Sequence, residues 1–245
     1  KKNFICPKPI SNKKGKMINT FNGKACVIVS FLKGKQAKKI YNLHCKQVGS
    51  VLASLHRDTL DFKEKILNNM NYKQWDKIFR KCLLKTSTKY DFLFPIIKKE
   101  LIFLNKNWPK KLPQGTIHAD VFKDNVFFID DKFSGLIDFY FACNDFFAYD
   151  IALAINAWCF NKSNIISINK LKALLAGYEE KRKLTNYEFS SLSILLRGAA
   201  LRILLTRLHD KLFHPEGAFV KPKDPNEYFK ILKFHQKTNL KNFIN

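Results

Sequence analysis

The sequence predicts an α+β fold in which a mainly helical body carries small β-hairpins. Three observations lead there. Apolar residues recur at helical spacing through most of the chain, two pairs of short apolar runs are separated by tight polar turns, and no internal repeat is visible. With 245 residues, 46% hydrophobic and 14% aromatic, the chain is long enough to bury one large core.

The elements follow in order. KMINTF (16–21) and KACVIVSFL (24–32) flank Asn22-Gly23, a dipeptide that accepts the positive φ angles of a tight turn, so this stretch reads as a hairpin. Ile40, Leu43, Val48, Val51, Leu52 and Leu55 form a helical stripe ending near His56, which reads as a buried or capping histidine. After a polar connection at 68–72, Trp75, Ile78, Phe79, Cys82 and Leu83 mark a second helix. Phe94, Ile97, Leu101, Leu104 and Trp108 mark a third, stopped by Pro109 and Pro113. Ile117 closes a short strand, 118–123 is a loop, and VFFI (126–129) and FSGLI (133–137) are strands joined by the turn Asp130-Asp131-Lys132. Asp150 precedes an apolar helical run, where an Asp is ordinarily a cap. Residues 191–210 are apolar nearly all round, so that helix is buried, and its Arg197 and Arg202 need carboxylate or carbonyl partners. Those partners are an internal carboxylate, such as Asp145 or Asp150, or a bound anion. Arg207, nearer the helix end, reads as solvent-facing, and Asp224-Pro225 opens a closing helix.

The net charge of +24, from 44 Lys and Arg against 20 Asp and Glu, raises nucleic acid as a partner. The lysines are scattered, however, and no RNA-binding signature, zinc-finger spacing or Arg-rich helix accompanies them, so nucleic acid is the weaker reading. Six cysteines without a C-x-x-C pair sit mostly in apolar segments, which suggests a reducing, cytoplasmic compartment. No signal peptide is apparent, and no apolar run reaches the roughly 18 residues of a membrane span.

The chemistry concentrates in residues 116–139, TIHADVFKDNVFFIDDKFSGLIDF. Asp120 follows His118 by two positions, Asn125 follows Asp120 by five, and Asp138 follows Asn125 by thirteen, with the hairpin between the last two. Taken singly, each is an ordinary turn or cap residue. Together they bring two carboxylates and an amide to one place. Phosphoryl transfer asks for that set, because its loose transition state needs positioning and charge neutralisation. A carboxylate accepts the proton of the attacking hydroxyl, and a hard divalent cation is held by a second carboxylate and a side-chain carbonyl. Asp120 fits the first role; Asn125 and Asp138 fit the second.

The pattern H-x-D-x(4)-N followed by I-D-F resembles the catalytic loop and metal-binding Asp of the aminoglycoside phosphotransferase and choline kinase superfamily. HADVFKDNVFF, GLIDFYFACNDFFAYDIALAINAWCF, LLRGAALRILLTRLHD and KDPNEYFKILKFH resemble the bacterial homoserine kinases within it, over nearly the whole chain. The resemblance implies a protein-kinase-like fold, with a piece of the N-lobe at 1–32 and a helical C-lobe at 37–245. It implies ATP and Mg2+ as cofactors and L-homoserine as the acceptor, giving O-phosphohomoserine on the route to threonine. The backbone of Ser30, Phe31 and Leu32 would hold the adenine, with Val29 and Phe31 near its ring. His118 and Asp150 would brace the catalytic loop. Tyr140, Asp145 and Trp158 would line the acceptor pocket, where Arg197 or Arg202 would meet a carboxylate. Other acceptors of the superfamily, choline, methylthioribose or an aminoglycoside, remain open, although choline favours an aromatic cage without Arg.

The chain departs from the pattern upstream. Its nine glycines contain no G-x-G, and Lys24, the lysine on a strand, follows the hairpin turn rather than preceding it. A Gly-rich phosphate loop and the paired strand Lys are therefore missing, which the resemblance reads as about 75 absent residues. The activity of the chain as written is accordingly in question. An inactive remnant or a basic RNA-associated protein are the readings outside enzymes, and the oligomeric state is open.

Overall fold

The computed structural model describes residues 4–85 and 88–239. The first three residues of the expected N-terminal piece and the last six of the chain lie outside that range. Strands β1 (Ile18–Phe21) and β2 (Lys24–Val27) pair antiparallel across Asn22 and Gly23, whose φ angles of 49° and 74° suit the tight turn. The second strand ends at Val27, short of the Leu32 end expected from sequence. Beyond it the chain changes partner: Ile10 N–H donates to Ile28 O and Ser30 N–H to Lys8 O, each over 2.8–2.9 Å. Phe21 and Phe31 stand largely exposed on this hairpin.

The helical body begins with α1 (Asn42–Asp58), α2 (Tyr72–Cys82) and α3 (Leu93–Asn107). Two of the residues expected on the helical stripes do not pack inward: Leu43 and Leu83 are exposed. Strands β3 (Gln114–Ile117), β4 (Val126–Ile129), β5 (Lys132–Leu136) and β6 (Cys143–Phe146) follow, then α4 (Phe147–Trp158), α5 (Ile168–Glu179), α6 (Asn186–Leu212) and α7 (Pro225–Lys237). The strands form three antiparallel pairs, β1–β2, β3–β6 and β4–β5. The β4–β5 turn uses Asp130 and Asp131 at φ 48° and 59°, a left-handed pair that Asp tolerates through its short polar side chain.

Every residue of α4 is buried, and it lies between the β3–β6 pair and α6. Helix α6 has 27 residues and holds an 18-residue window with a mean hydropathy of 1.4, long and apolar enough to cross a membrane, a length hidden in the sequence by the three arginines that interrupt it. Two-thirds of that window (67%) is buried inside the fold, which makes it the central core helix. Helices α1 and α5 meet backbone to backbone. A Cβ added at Gly177 would lie 1.9 Å from Lys46 O, and one at Gly49 would lie 2.0 Å from Leu174 O, so only glycine permits this approach.

The stretch between the hairpin and the body is anchored as well. Gly34 has φ 118° and lies against Ser134 of β5, and Lys35 exchanges both backbone hydrogen bonds with Phe128 of β4. Leu32 packs on Gly135, and Leu136 N–H donates to Ile5 O over 3.1 Å. The segment 30–32 is thereby laid over the strand that leads to Asp138.

Candidate active site

Strand β3 delivers His118, Ala119 and Asp120 at its end, and a single 3-10 turn, Lys123–Asn125, carries the chain into β4. The Asn125 amide nitrogen donates to both the main-chain O (2.8 Å) and the Oδ2 (3.0 Å) of Asp120. Its carbonyl oxygen is thereby turned away from Asp120 and left for another partner. Strand β5 returns to Ile137, whose N–H donates to Asn125 O over 2.9 Å. Asp138 follows with φ 65° and ψ 65°, a left-handed conformation that presents its exposed carboxylate beside the loop. Asp120, Asn125 and Asp138 are thus assembled by the two ends of one hairpin.

Buried groups hold the loop from behind. His118 Nε2–H donates to Ile137 O (3.0 Å), while its Nδ1 accepts from Asp120 N–H (3.2 Å), which assigns the neutral tautomer. Burial keeps its pKa low, in keeping with that neutral state. The two oxygens of Asp150 accept the N–H groups of His118 (2.9 Å) and Ala119 (2.8 Å), holding Ala119 at φ 62° where a non-glycine residue is strained. Asp150 lies in the first turn of α4, but Phe146 occupies the cap position, so the ordinary capping role does not apply.

His56 Nε2–H donates to the same carboxylate (3.1 Å), and its Nδ1 accepts from Tyr178 (2.8 Å), whose oxygen in turn accepts from Arg182 (3.1 Å). Burial alone would raise the Asp150 pKa, but the hydrogen bond and charge from His56 and the loop N–H groups hold it below the usual carboxylate range. For Asp120 the balance is opposite. Burial pushes its pKa up to about 6, and the pull of Arg202 only partly offsets this.

The arginines depart from expectation. Arg197 makes two 2.7 Å hydrogen bonds to the buried Glu100 of α3 and stacks 3.6 Å from the Phe103 ring. It is committed to the core. Arg202 is 2% exposed and donates to Ala119 O over 2.5 Å, so it supports the 118–120 loop from inside rather than facing a ligand. Arg207 is not solvent-facing: it is buried against Tyr228 and bonds Glu227 (2.6 Å) and Asp224 O (3.2 Å).

Trp158 is a core residue, fully buried with its Nε1–H on Val121 O (2.8 Å). Tyr140 is largely exposed just after Asp138. Asp145 pairs in register with Gly115, away from the loop, and accepts from Asn68 over 2.6 Å. Asn68, read as simple connection, proved to be the buried partner of that carboxylate; nothing short of the fold joins residues so far apart in sequence. In the segment expected to hold adenine, the Ser30 N–H is taken by Lys8 O, whereas Phe31 and Leu32 make no backbone hydrogen bond among the described residues. The Ser30 carbonyl and the main-chain groups of Phe31 and Leu32 are without a backbone partner among the described residues.

The site can be tested for a divalent cation on its donors. Among the described residues no cluster of three His, Cys, Asp or Glu could hold a metal. One exposed carboxylate and one oriented amide carbonyl do fit a hard cation that takes its remaining oxygens from water and phosphates.

Residues 2–184 match the family model described as "Phosphotransferase enzyme family". The chain is 48% identical over 231 residues to a homoserine kinase of Parvibaculum lavamentivorans, covering 94% of this chain and 72% of that protein. It is 46% identical over 231 residues to a homoserine kinase of Rhizobium meliloti, covering 94% and 71%. Among solved structures, amicoumacin kinase hAmiN in complex with AMP-PNP and Ca2+ superposes with a TM-score of 0.70 at 12% identity, covering 96% of this chain and 72% of that one. A choline kinase from Cryptosporidium parvum superposes with a TM-score of 0.67 at 14% identity, covering 95% and 73%. These two likenesses show the protein-kinase-like fold.

Proposed function

The chain belongs to the phosphotransferase enzyme family, and from that premise we propose that it transfers the γ-phosphoryl group of ATP to the hydroxyl of L-homoserine. It is an ATP-dependent small-molecule kinase, and its curated homoserine kinase relatives match along almost the whole chain. The observation that carries the mechanism is the Asn125 amide, bound twice to Asp120 with its carbonyl left over.

In this reading Asp120 orients the acceptor hydroxyl and takes its proton, a role suited to a carboxylate whose pKa burial has raised. Asp138 and the Asn125 carbonyl would hold Mg2+, which when bound would supply positive charge to offset the negative charge that develops on the transferring phosphoryl group. His118 and Asp150 keep the loop in its left-handed turn. The main chain of Phe31 and Leu32 holds the adenine, and residues 1–32 form the nucleotide-side piece above the helical body of 37–245. The free cysteines, four of them buried, support a cytoplasmic setting, and the product feeds threonine biosynthesis.

A product assay of the full gene product with ATP, Mg2+ and a panel containing homoserine, choline and methylthioribose tests the reading. Phosphohomoserine as the main product supports it. Phosphocholine in its place, or no product from a folded protein, overturns it.

A further inference from the structure

A cleft of about 240 Å³ opens beside the catalytic loop, bounded by Phe122 and Asp124, by Arg207 of α6, and by Lys223, Glu227 and Tyr228 at the start of α7. It begins two residues beyond Asp120: Phe122 N–H donates to Asp120 O over 2.8 Å, and the Phe122 ring packs edge-on against Tyr228. Its charges form two ion pairs. Lys223 Nζ lies 2.8 Å from Asp124 Oδ2, and Arg207 Nη1 lies 2.6 Å from Glu227 Oε2.

These groups differ in burial. The Arg207 side chain is only 10% exposed, stacked 4.6 Å over the Tyr228 ring, and uses Nη1 alone for its hydrogen bonds. Nη2 and Nε of the fork are left without partners among the described residues. Asp124, Lys223 and Glu227 are about half exposed, so their pairs break and re-form readily in water. An ammonium on Asp124 and a carboxylate on Arg207 already occupy the cleft, both supplied by the chain itself. A free α-amino acid carries the same two groups on one carbon.

We propose that this cleft is the acceptor subsite, in which Arg207 takes the α-carboxylate through the free edge of its guanidinium and Asp124 takes the α-ammonium, displacing Lys223. The assignment rests on the homoserine kinase reading and deepens it. Arg197 and Arg202, the arginines first expected in this role, are spent on Glu100 and on the loop carbonyl of Ala119. Homoserine places its hydroxyl two carbons from the α-carbon, so its charged groups must be met close to Asp120. Residues 122–124 and the helix start facing them meet that requirement. An acceptor with an ammonium but no carboxylate leaves the Arg207 fork unpaired, and a site built for hydrogen bonds discriminates against such analogues.

The test is steady-state kinetics of the full gene product with L-homoserine, with 3-aminopropan-1-ol, which lacks the carboxylate, and with 4-hydroxybutanoate, which lacks the ammonium. Arg207→Lys keeps the charge but removes the planar fork. It is expected to raise the KM for homoserine by about 30-fold or more, with the KM for ATP unmoved and the penalty shrinking to about threefold or less on 3-aminopropan-1-ol. Asp124→Asn, at a half-exposed position that folding tolerates, is expected to raise the homoserine KM by about tenfold and to lose that effect on 4-hydroxybutanoate. Folded variants with a homoserine KM within about threefold of wild type, or with equal penalties on all three alcohols, would overturn the assignment. Should the wild-type protein make no phosphohomoserine, the functional reading itself fails and the subsite falls with it. The two failures are therefore told apart by the wild-type control.

Discussion

Asp150 and His56 share a 3.1 Å hydrogen bond at a point where neither side chain has any exposure to solvent. The same carboxylate oxygen also accepts His118 N–H, and its partner oxygen accepts Ala119 N–H, so one buried charge joins α1, α4 and the catalytic loop. Asp150→Asn replaces an acceptor by a donor facing these donors. A loss of about 3 kcal/mol in unfolding free energy, together with a fall in kcat, is expected from urea denaturation and turnover assays. Unchanged stability would show that the loop does not depend on this carboxylate.

Asp120→Asn removes the proposed proton acceptor while preserving shape. Turnover should drop by about 10²–10⁴-fold with little change in the KM for ATP, as expected for a group that acts on the transferred proton. Near-normal kcat in the variant would exclude Asp120 as the base.

Asp138→Asn keeps the left-handed backbone within reach of Asn but halves the proposed donor set for the cation. The Mg2+ concentration giving half-maximal rate should rise by about tenfold or more, with the homoserine KM nearly constant at saturating metal. A magnesium titration of the rate reads this directly.

His235 is buried, and its Nε2–H donates to the Asn156 side chain over 2.7 Å. Burial, with a smaller push from Arg197, lowers its pKa to about 3. The unfolded chain binds a proton near pH 6.5 and the native site resists it, so the stabilising contribution is complete above that pH and is lost as pH falls from about 6.5 towards 3. Thermal melts at pH 7.5 and 5 should show a decline that His235→Gln makes smaller. An equal decline in the variant would assign the acid sensitivity to other groups.

Gly177→Ala places a methyl group against Lys46 O, a backbone atom that cannot rotate away. Forcing α1 and α5 apart should reduce stability by about 3 kcal/mol, measured by chemical denaturation.

The hairpin from 126 to 137 and its bracketing Asp120, Asn125 and Asp138 were legible because local rules govern them: period-two apolar runs, an Asp-Asp turn and short loop spacings. The arginines of α6 were not. Helical periodicity placed them on a buried helix, but their partners, Glu100 on α3 and Glu227 on α7, come from distant parts of the chain. Arg207 looked terminal because the helix was read as ending at 210, whereas α7 folds back over it and buries it. The pairing of 28–30 with 8–10 was not legible either: it takes the Ser30 N–H, which a strand ending in solvent would have left free, while the Ser30 carbonyl stays without a backbone partner among the described residues.

The glycine contact between α1 and α5 also bears on mechanics. Two helices in backbone contact slide or tilt little, so α1 moves with the body that carries the catalytic loop. Any opening and closing of the β1–β2 side over that body must then pivot before Leu32, because Leu32, Gly34 and Lys35 are themselves held on β4 and β5. Gly34, at φ 118° against Ser134, is where a side chain would prise that anchor apart.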